Sequence, residues 1–92
     1  MIYVRRLIWD AWNVAHIARH GIAPDEVEEV CHTEYIDREA YKGRVMLIGP
    51  TGAGKLLAVV LEPVDEGIYY PVTARSASRR ERRIYQIEKG GA

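Results

Sequence analysis

The sequence predicts an α+β fold, with a mostly antiparallel sheet of about four strands packed by three helices. Three observations lead there. Residues 44–63, RVMLIGPTGAGKLLAVVLEP, hold the two most apolar runs of the chain on either side of a glycine-rich turn, the pattern of a buried β-hairpin. A third β-rich run, IYYPVTA at 68–74, comes after the turn residues Asp65, Glu66 and Gly67, so three successive strands are joined by short connections and pair antiparallel. Helix signals fall before and after these strands, and the order strand, helix, helix, three strands, helix places helices against one side of the sheet.

Taken in order, residues 2–9 (IYVRRLIW) are β-branched and aromatic, with Ile2, Val4 and Ile8 on one face at period two. Asp10 stands where a helix N-cap belongs. Residues 11–20 form the helix after it, with Val14, Ile17 and Ala18 at helical spacing, ended by Gly21 at the position where a left-handed backbone suits glycine. Pro24 opens a second helix, with Asp25 and Glu26 in the first turn that the helix dipole favours and Val27, Val30 and Cys31 as its apolar stripe. It stops near 32–33, and 34–42 is polar enough to read as a loop. Strands are expected at 44–49, 56–62 and 68–74. Pro71 cannot donate to a ladder, so the last of these lies at an edge or carries a bulge there. Ser78 with Glu81 three residues on forms a capping box that opens a helix at 79–88, with Ile84, Tyr85 and Ile87 docking on the sheet. Residues 89–92 are expected to fray.

Ninety-two residues suffice for one domain, 1–92, with one core. No run approaches the 18 or so apolar residues of a membrane span, and the N-terminus lacks the uninterrupted apolar segment of a signal peptide. A lone cysteine, Cys31, makes no internal disulfide and fits a reducing cytoplasm. The formal net charge of zero hides segregation: 21–41 carries seven acids against Arg38, whereas 73–92 carries five arginines and Lys89 against Glu81 and Glu88.

Residues 49–55, GPTGAGK, fit the opening of a phosphate-binding P-loop except that Leu56 stands where a magnesium-binding hydroxyl belongs. A P-loop needs a helix after it. The run after Lys55 is LLAVVL, a strand, so the glycines make a hairpin loop. His16 and His20 share a helix face at a spacing that metal sites use, but Ile17 stands where a zinc protease has its glutamate and only Cys31 or His32 is left to complete a ligand set; no metal is expected. The basic ending is more telling. Arg75, Arg79, Arg80, Arg82 and Arg83 are interleaved with Tyr69, Tyr70 and Tyr85, and guanidinium groups that bind phosphate beside rings that stack on unpaired bases suit an RNA surface.

Trp9 and Asp10, Asn13, Arg19-His20-Gly21-Ile22, the acidic helix at 24–30, Lys42-Gly43-Arg44 and above all the ending TARSASRRERRIY resemble the BrnT family of toxins, over nearly the whole chain. The ending is similar to the family's S-A-R-x-A-x-x-x-E-R-x-x-Y. The resemblance implies a RelE- and ParE-like fold and a cytoplasmic type II toxin that cuts RNA and arrests translation. It also implies a cognate antitoxin with a ribbon-helix-helix-like part, through which alone the pair meets DNA. Tyr70 and Pro71 depart from the family's I-R-I-I-S-A-R strand, and the acidic loop is shortened at 37–41.

RNA supplies its own nucleophile, the 2′-OH, so metal-independent cleavage needs a proton acceptor, cations for the charged phosphorane and a donor for the leaving oxygen. Arg75 is the first candidate for the phosphorane, with Arg44 and Arg82 positioning phosphate, His20 as acid or base and Tyr70 or Tyr85 stacking on a base. Arg79, Arg80 and Arg83 add RNA-binding charge. No cofactor is needed. The alternative is a non-catalytic RNA- or protein-binding module of the same fold. The hairpin reading of 49–55 predicts that calorimetric titration with magnesium ATP detects no micromolar binding; such binding, abolished in Lys55→Ala, would restore the P-loop.

Overall fold

The glycine-rich segment turns between two strands. In a computed structural model that describes residues 2–90, β3 (Val45–Pro50) and β4 (Leu56–Asp65) pair antiparallel from Val45 opposite Leu61 to Pro50 opposite Leu56. The intervening loop is closed by Thr51 N–H donating to Lys55 O at 2.8 Å and by Gly54 N–H donating to Thr51 O at 2.9 Å, with Gly54 at a φ of +87°. Glu29 Oε1 accepts from Gly52 N–H at 2.9 Å. A carboxylate thus occupies an amide that a P-loop would turn to phosphate.

The other elements are β1 (Arg6–Leu7), α1 (Ala11–Ala18), α2 (Pro24–Cys31), β2 (Ile36–Glu39), β5 (Ile68–Ser76) and α3 (Arg79–Tyr85), which continues into a π-helical turn, Gln86–Gly90. Five strands form one sheet in the order β1-β5-β4-β3-β2, antiparallel except for β1 against β5. Of the ending expected to fray, 91–92 lie outside the described residues, and 89–90 belong to the π turn. No helix among the described residues is long and apolar enough to cross a membrane.

Sheet alternation divides the apolar residues between two faces. Leu47, Leu57, Val59, Leu61 and Ala74 meet Ile17 of α1 and Val27 and Val30 of α2 in the main core. Ile36 and Ile48, one residue out of phase, meet Ala77, Ile84 and Tyr85 on the other face, with Met46 and Leu56 beside them. The helices therefore cover both faces, not one side as the order of elements suggests. Ile87 stays exposed rather than docking, because the π turn carries it away from the sheet.

Both caps form as read. Asp10 Oδ1 accepts from Asn13 N–H and Asn13 Oδ1 accepts from Asp10 N–H, each at 2.9 Å. Ser78 Oγ accepts from Glu81 N–H at 3.1 Å while Glu81 Oε1 accepts from Ser78 N–H at 2.8 Å. Gly21 closes α1 with φ +74°, and Gly67 turns the β4 to β5 hairpin with φ +73°. The inward stripe of α1 differs from expectation: Val14 is exposed, and Asn13 is buried beside Ile17.

Two stretches depart from the sequence reading. Residues 34–42 contain β2, an edge strand whose charged Asp37, Arg38 and Glu39 protect the open side of the sheet and also disguise the strand. Its turn is of the primed hairpin type, with Lys42 at φ 61° and Gly43 at φ 76°. The expected strand at 2–9 is ordered as a ladder only at Arg6–Leu7, with Val4 buried as read but Leu7 buried where Ile2 and Ile8 are only half-buried. Pro71 is the cause. Ile8 N–H donates to Tyr69 O at 2.9 Å, and the next bond of a parallel ladder would run from the N–H of residue 71 to Ile8 O. Asn13 Nδ2 supplies the missing donor, reaching Ile8 O at 2.9 Å and Pro71 O at 3.1 Å.

Gly49 is fixed by packing. A Cβ there would lie 2.9 Å from Tyr35 Cβ and 3.2 Å from both Tyr35 Cα and Val30 Cγ1. Gly49→Ala is expected to destabilise the protein by about 1–3 kcal/mol through overpacking, read as a lower urea midpoint. Gly52→Ala, whose nearest neighbours are Glu29 side-chain atoms at 3.5 Å or more, should barely move the midpoint. Equal midpoints for both variants and the wild type would show that Tyr35 and α2 yield without cost.

Candidate functional site

Residues 70 and 75 are five apart and would point to opposite faces of a regular strand. They share a face because β5 is bulged. Val60 pairs with Thr73 but Leu61 pairs with Pro71, so one extra residue shifts the alternation; Glu62 then pairs with Tyr70 and Ala58 with Arg75. Arg44, Met46 and Ile48 of the β3 side, Ala58, Val60 and Glu62 of β4, and Tyr70, Thr73 and Arg75 of β5 form one face. Helix α3 covers its Ile48 end. The other end is partly open, with Arg44, Val60, Glu62, Tyr70 and Thr73 all incompletely buried.

Arg75 is held at the border of the covered region. Its Nη1 and Nη2 donate to Glu81 Oε1 and Oε2 at 2.7 and 2.8 Å, a bidentate pair, and Nη1 also reaches Ser76 O at 3.3 Å. The Glu81 side chain is only 13% exposed and the Arg75 side chain 42%, so the carboxylate forms the inner anchor and the guanidinium the accessible part. A guanidinium has five N–H donors. Two remain for a ligand beyond those given to Glu81 and Ser76. The Arg75 hydrogen bonds, opposed by burial and aided by Ser78 N–H, hold the Glu81 carboxyl at about 2, and Glu81 raises Arg75 in turn.

The remaining predicted residues are distributed around this pair. Arg44 shares the face, but its Nε donates to Glu62 Oε1 at 2.8 Å, four residues and about 13 Å along β4 from the row of Arg75. Tyr70 donates its hydroxyl to both Asp10 carboxylate oxygens at 3.1 and 3.0 Å. Tyr85 donates to Glu34 O at 2.7 Å, which fixes its ring at the end of α3, and burial raises its hydroxyl. Arg79, Arg80 and Arg83 flank a groove with Ile84 and Ile87 on the outer side of α3. Arg82 lies on the other side, in a cleft with Tyr85, Lys55, Ser76 and Gln86.

His20 is not brought to Arg75. It comes after α1, in the helical layer on the opposite face of the sheet, where its ring meets His16 edge-on at 5.9 Å and His16 stacks on Trp12 at 4.8 Å. Cys31 is buried, and burial pushes its thiol up to about 12, which disfavours the thiolate that binds metal. His32 Nδ1 lies 2.7 Å from Glu28 O. No group of three His, Cys, Asp or Glu among the described residues is arranged to hold a metal ion.

Sequence reasoning missed two participants. Glu81 reads as a cap and is also the partner of Arg75; the signal was the capping-box position two residues beyond Arg79, where a short turn folds α3 back on the strand end. Lys55 reads as a hairpin residue and shares the Arg82 cleft, a proximity that only tertiary structure creates.

No protein-family model matches the chain, and no curated protein matches it. Among solved structures, the chain is similar to the Brucella abortus ribonuclease toxin BrnT, known from a 1.1 Å crystal structure. The identity is 27% and the TM-score 0.65, over 80% of this chain and 97% of that one. The family resemblance carried by the sequence and the α+β arrangement of the elements thus agree with a solved fold.

Glu81 makes stability depend on pH in a defined direction. Its carboxyl is lowered from 4.5 to about 2 on folding, so its contribution is complete above about pH 5 and is lost as pH falls from 4.5 towards 2. The urea-unfolding difference between wild type and Glu81→Gln should therefore be largest at about pH 7 and shrink as pH falls from about 4.5 to about 2.5. A difference independent of pH would show that the pair adds nothing as an ion pair.

Proposed function

We propose that this BrnT-like chain is the endoribonuclease toxin of a type II toxin–antitoxin pair, cutting RNA without metal and so inhibiting translation. The likeness to the Brucella ribonuclease toxin carries this reading, and the anchored Arg75 gives it a chemical centre. In-line attack of a 2′-OH on the adjacent phosphate places extra negative charge on the phosphorane oxygens, and a guanidinium already oriented by Glu81 meets that charge without reorganisation. Glu81 is a positioning residue here. At about 2 its carboxyl is too weak a base to draw a proton from a hydroxyl near neutrality.

Arg82 and the α3 arginines Arg79, Arg80 and Arg83 hold neighbouring phosphates, while Tyr85, its ring fixed through its hydroxyl, stacks on a base and could give a proton to the leaving oxygen only by releasing Glu34 O. His20 is left out of the reacting centre. Arg44, its Nε given to Glu62, keeps its terminal nitrogens for a phosphate but lies too far along the sheet from Arg75 to share the same one. The expected partner is a cognate antitoxin with a ribbon-helix-helix-like part, through which the pair would contact DNA. A second reading, a non-catalytic RNA- or protein-binding module, is favoured by one observation: Tyr70, in the position of the family's strand arginine, is tied to Asp10 instead of adding a second free cation to the face of Arg75.

Arg75→Ala should slow single-turnover cleavage of a short unstructured RNA, in the presence of chelator, by about 10²–10³ while binding persists. Arg79→Ala or Arg83→Ala should instead weaken binding and lower the salt slope by about 0.7 each, one single-strand phosphate contact. If neither the wild type nor Tyr70→Arg cleaves and both bind RNA, the module reading replaces the nuclease.

A further inference from the structure

The cleft between the β3 to β4 loop and the end of α3 has a volume of about 670 Å³, and its lining joins acid-free cations, which the outer groove of Arg79, Arg80 and Arg83 also has, to an aromatic ring and polar side chains, which that groove lacks. Gly54, Lys55 and Leu56 form one wall with Pro50; Ser76, Arg82, Tyr85, Gln86 and Gly90 form the other. Two cations enter it and, among the described residues, no carboxylate does. Elsewhere Arg38, Arg44, Arg75 and Lys89 each face an acid, Glu88, Glu62, Glu81 and Glu34 respectively. Among the described residues Lys55 and Arg82 pair with none. Arg82 Nε donates to Ala77 O at 3.4 Å, which orients the guanidinium and leaves its terminal nitrogens uncommitted.

The cleft is also rigid where a ligand would need it to be. The Lys55 backbone is tied on both sides, its N–H to Thr51 Oγ1 at 3.2 Å and its O to Thr51 N–H at 2.8 Å, and Glu29 anchors the loop at Gly52. Tyr85 packs against the small core of Ile36, Ile48 and Ala77 while its hydroxyl is bound to Glu34 O. Leu56 and Pro50 give an apolar floor, and Ser76 and Gln86 offer a hydroxyl and an amide. Cations without acids, beside a fixed ring and a few polar groups, fit an anion that carries a flat aromatic group.

We propose that this cleft binds one nucleotide unit of single-stranded RNA, its phosphate between Lys55 and Arg82 and its base against Tyr85. The assignment rests on RNA being the ligand of the basic end. Because Ser76 lies directly after Arg75 and its carbonyl accepts from the Arg75 guanidinium, the unit in the cleft adjoins the phosphate that Arg75 would hold. Lys55 thereby serves phosphate through its side chain, although the Gly52 amide is given to Glu29.

The probe is a fluorescent single-stranded hexamer in all-2′-deoxy form, which cannot be cut, titrated by anisotropy at two salt concentrations. Backbone resonances of Gly54, Lys55 and Gln86 are followed in the same titration. Lys55→Ala should weaken binding on the order of tenfold, the loss of one charge-assisted hydrogen bond, lower the salt slope by about 0.7 and remove the shifts at Gly54 and Gln86. Unchanged affinity and slope in Lys55→Ala, or shifts confined to residues outside the cleft, would overturn the proposal. So would tighter binding of a polyglutamate peptide than of the hexamer. Cleft binding by a wild type that fails to cleave RNA supports the cleft and overturns only the nuclease reading.

Discussion

One missing hydrogen-bond donor governs how this chain is assembled. Proline at 71 has no N–H, so the parallel ladder between β1 and β5 stops after Leu7, and a buried amide, Asn13, donates to the two carbonyls left on either side. Burying an amide is costly unless its polar atoms are satisfied. Asn13 meets that condition by also completing the cap of α1 with Asp10. A single side chain thus fixes the start of α1, the end of β1 and the middle of β5. The same proline lies at the bulge, and the bulge is what puts Tyr70 and Arg75 on one face.

Charge obeys a similar logic of satisfaction. The acidic stretch and the basic ending are segregated in sequence but meet in space, where Arg38 pairs with Glu88 and Glu34 with Lys89 across the β2 edge. These exposed pairs contribute little energy individually. Their effect is distribution: cations near the β2 edge are neutralised locally, whereas Arg79, Arg80, Arg82, Arg83 and Lys55 are left without acids among the described residues. Long-range attraction for a polyanion then comes from α3 and the adjoining loop rather than from the whole surface.

Most of the secondary structure was legible because its signals are local. Asp10, Gly21, Pro24, Gly67 and Ser78 each act within a few residues, and the apolar runs around 49–55 have no solution but a buried hairpin. What escaped depends on neighbours distant in sequence. Strand β2 is held by pairing to β3 and looks polar because it is an edge. The inward turn of Asn13 depends on a proline 58 positions later. The side of the sheet taken by α3 depends on whether Ala77 continues the line of Ile48 or of Leu47. For the candidate site, the arginines and tyrosines were visible as types. Their grouping was not: period two separates residues 70 and 75 unless the bulge is known, and His20 falls in the other layer for a reason no spacing reveals.

The same string of glycines also shows why a motif has meaning only through what encloses it. In 49–55 the phosphate-loop spacing is nearly complete, yet each requirement of that loop is met by something else here. Gly49 is glycine because Tyr35 and Val30 press on its backbone. Gly52 gives its N–H to Glu29, an anion from this chain, and Gly54 turns the hairpin with a positive φ. Where a helix would direct its dipole at a ligand, LLAVVL instead continues the sheet and carries Lys55 to the rim beside Arg82. The lysine then faces a cleft that the loop and α3 build together, so whatever anion it meets is chosen by Arg82 and Tyr85 and not by the glycines that first draw attention to it.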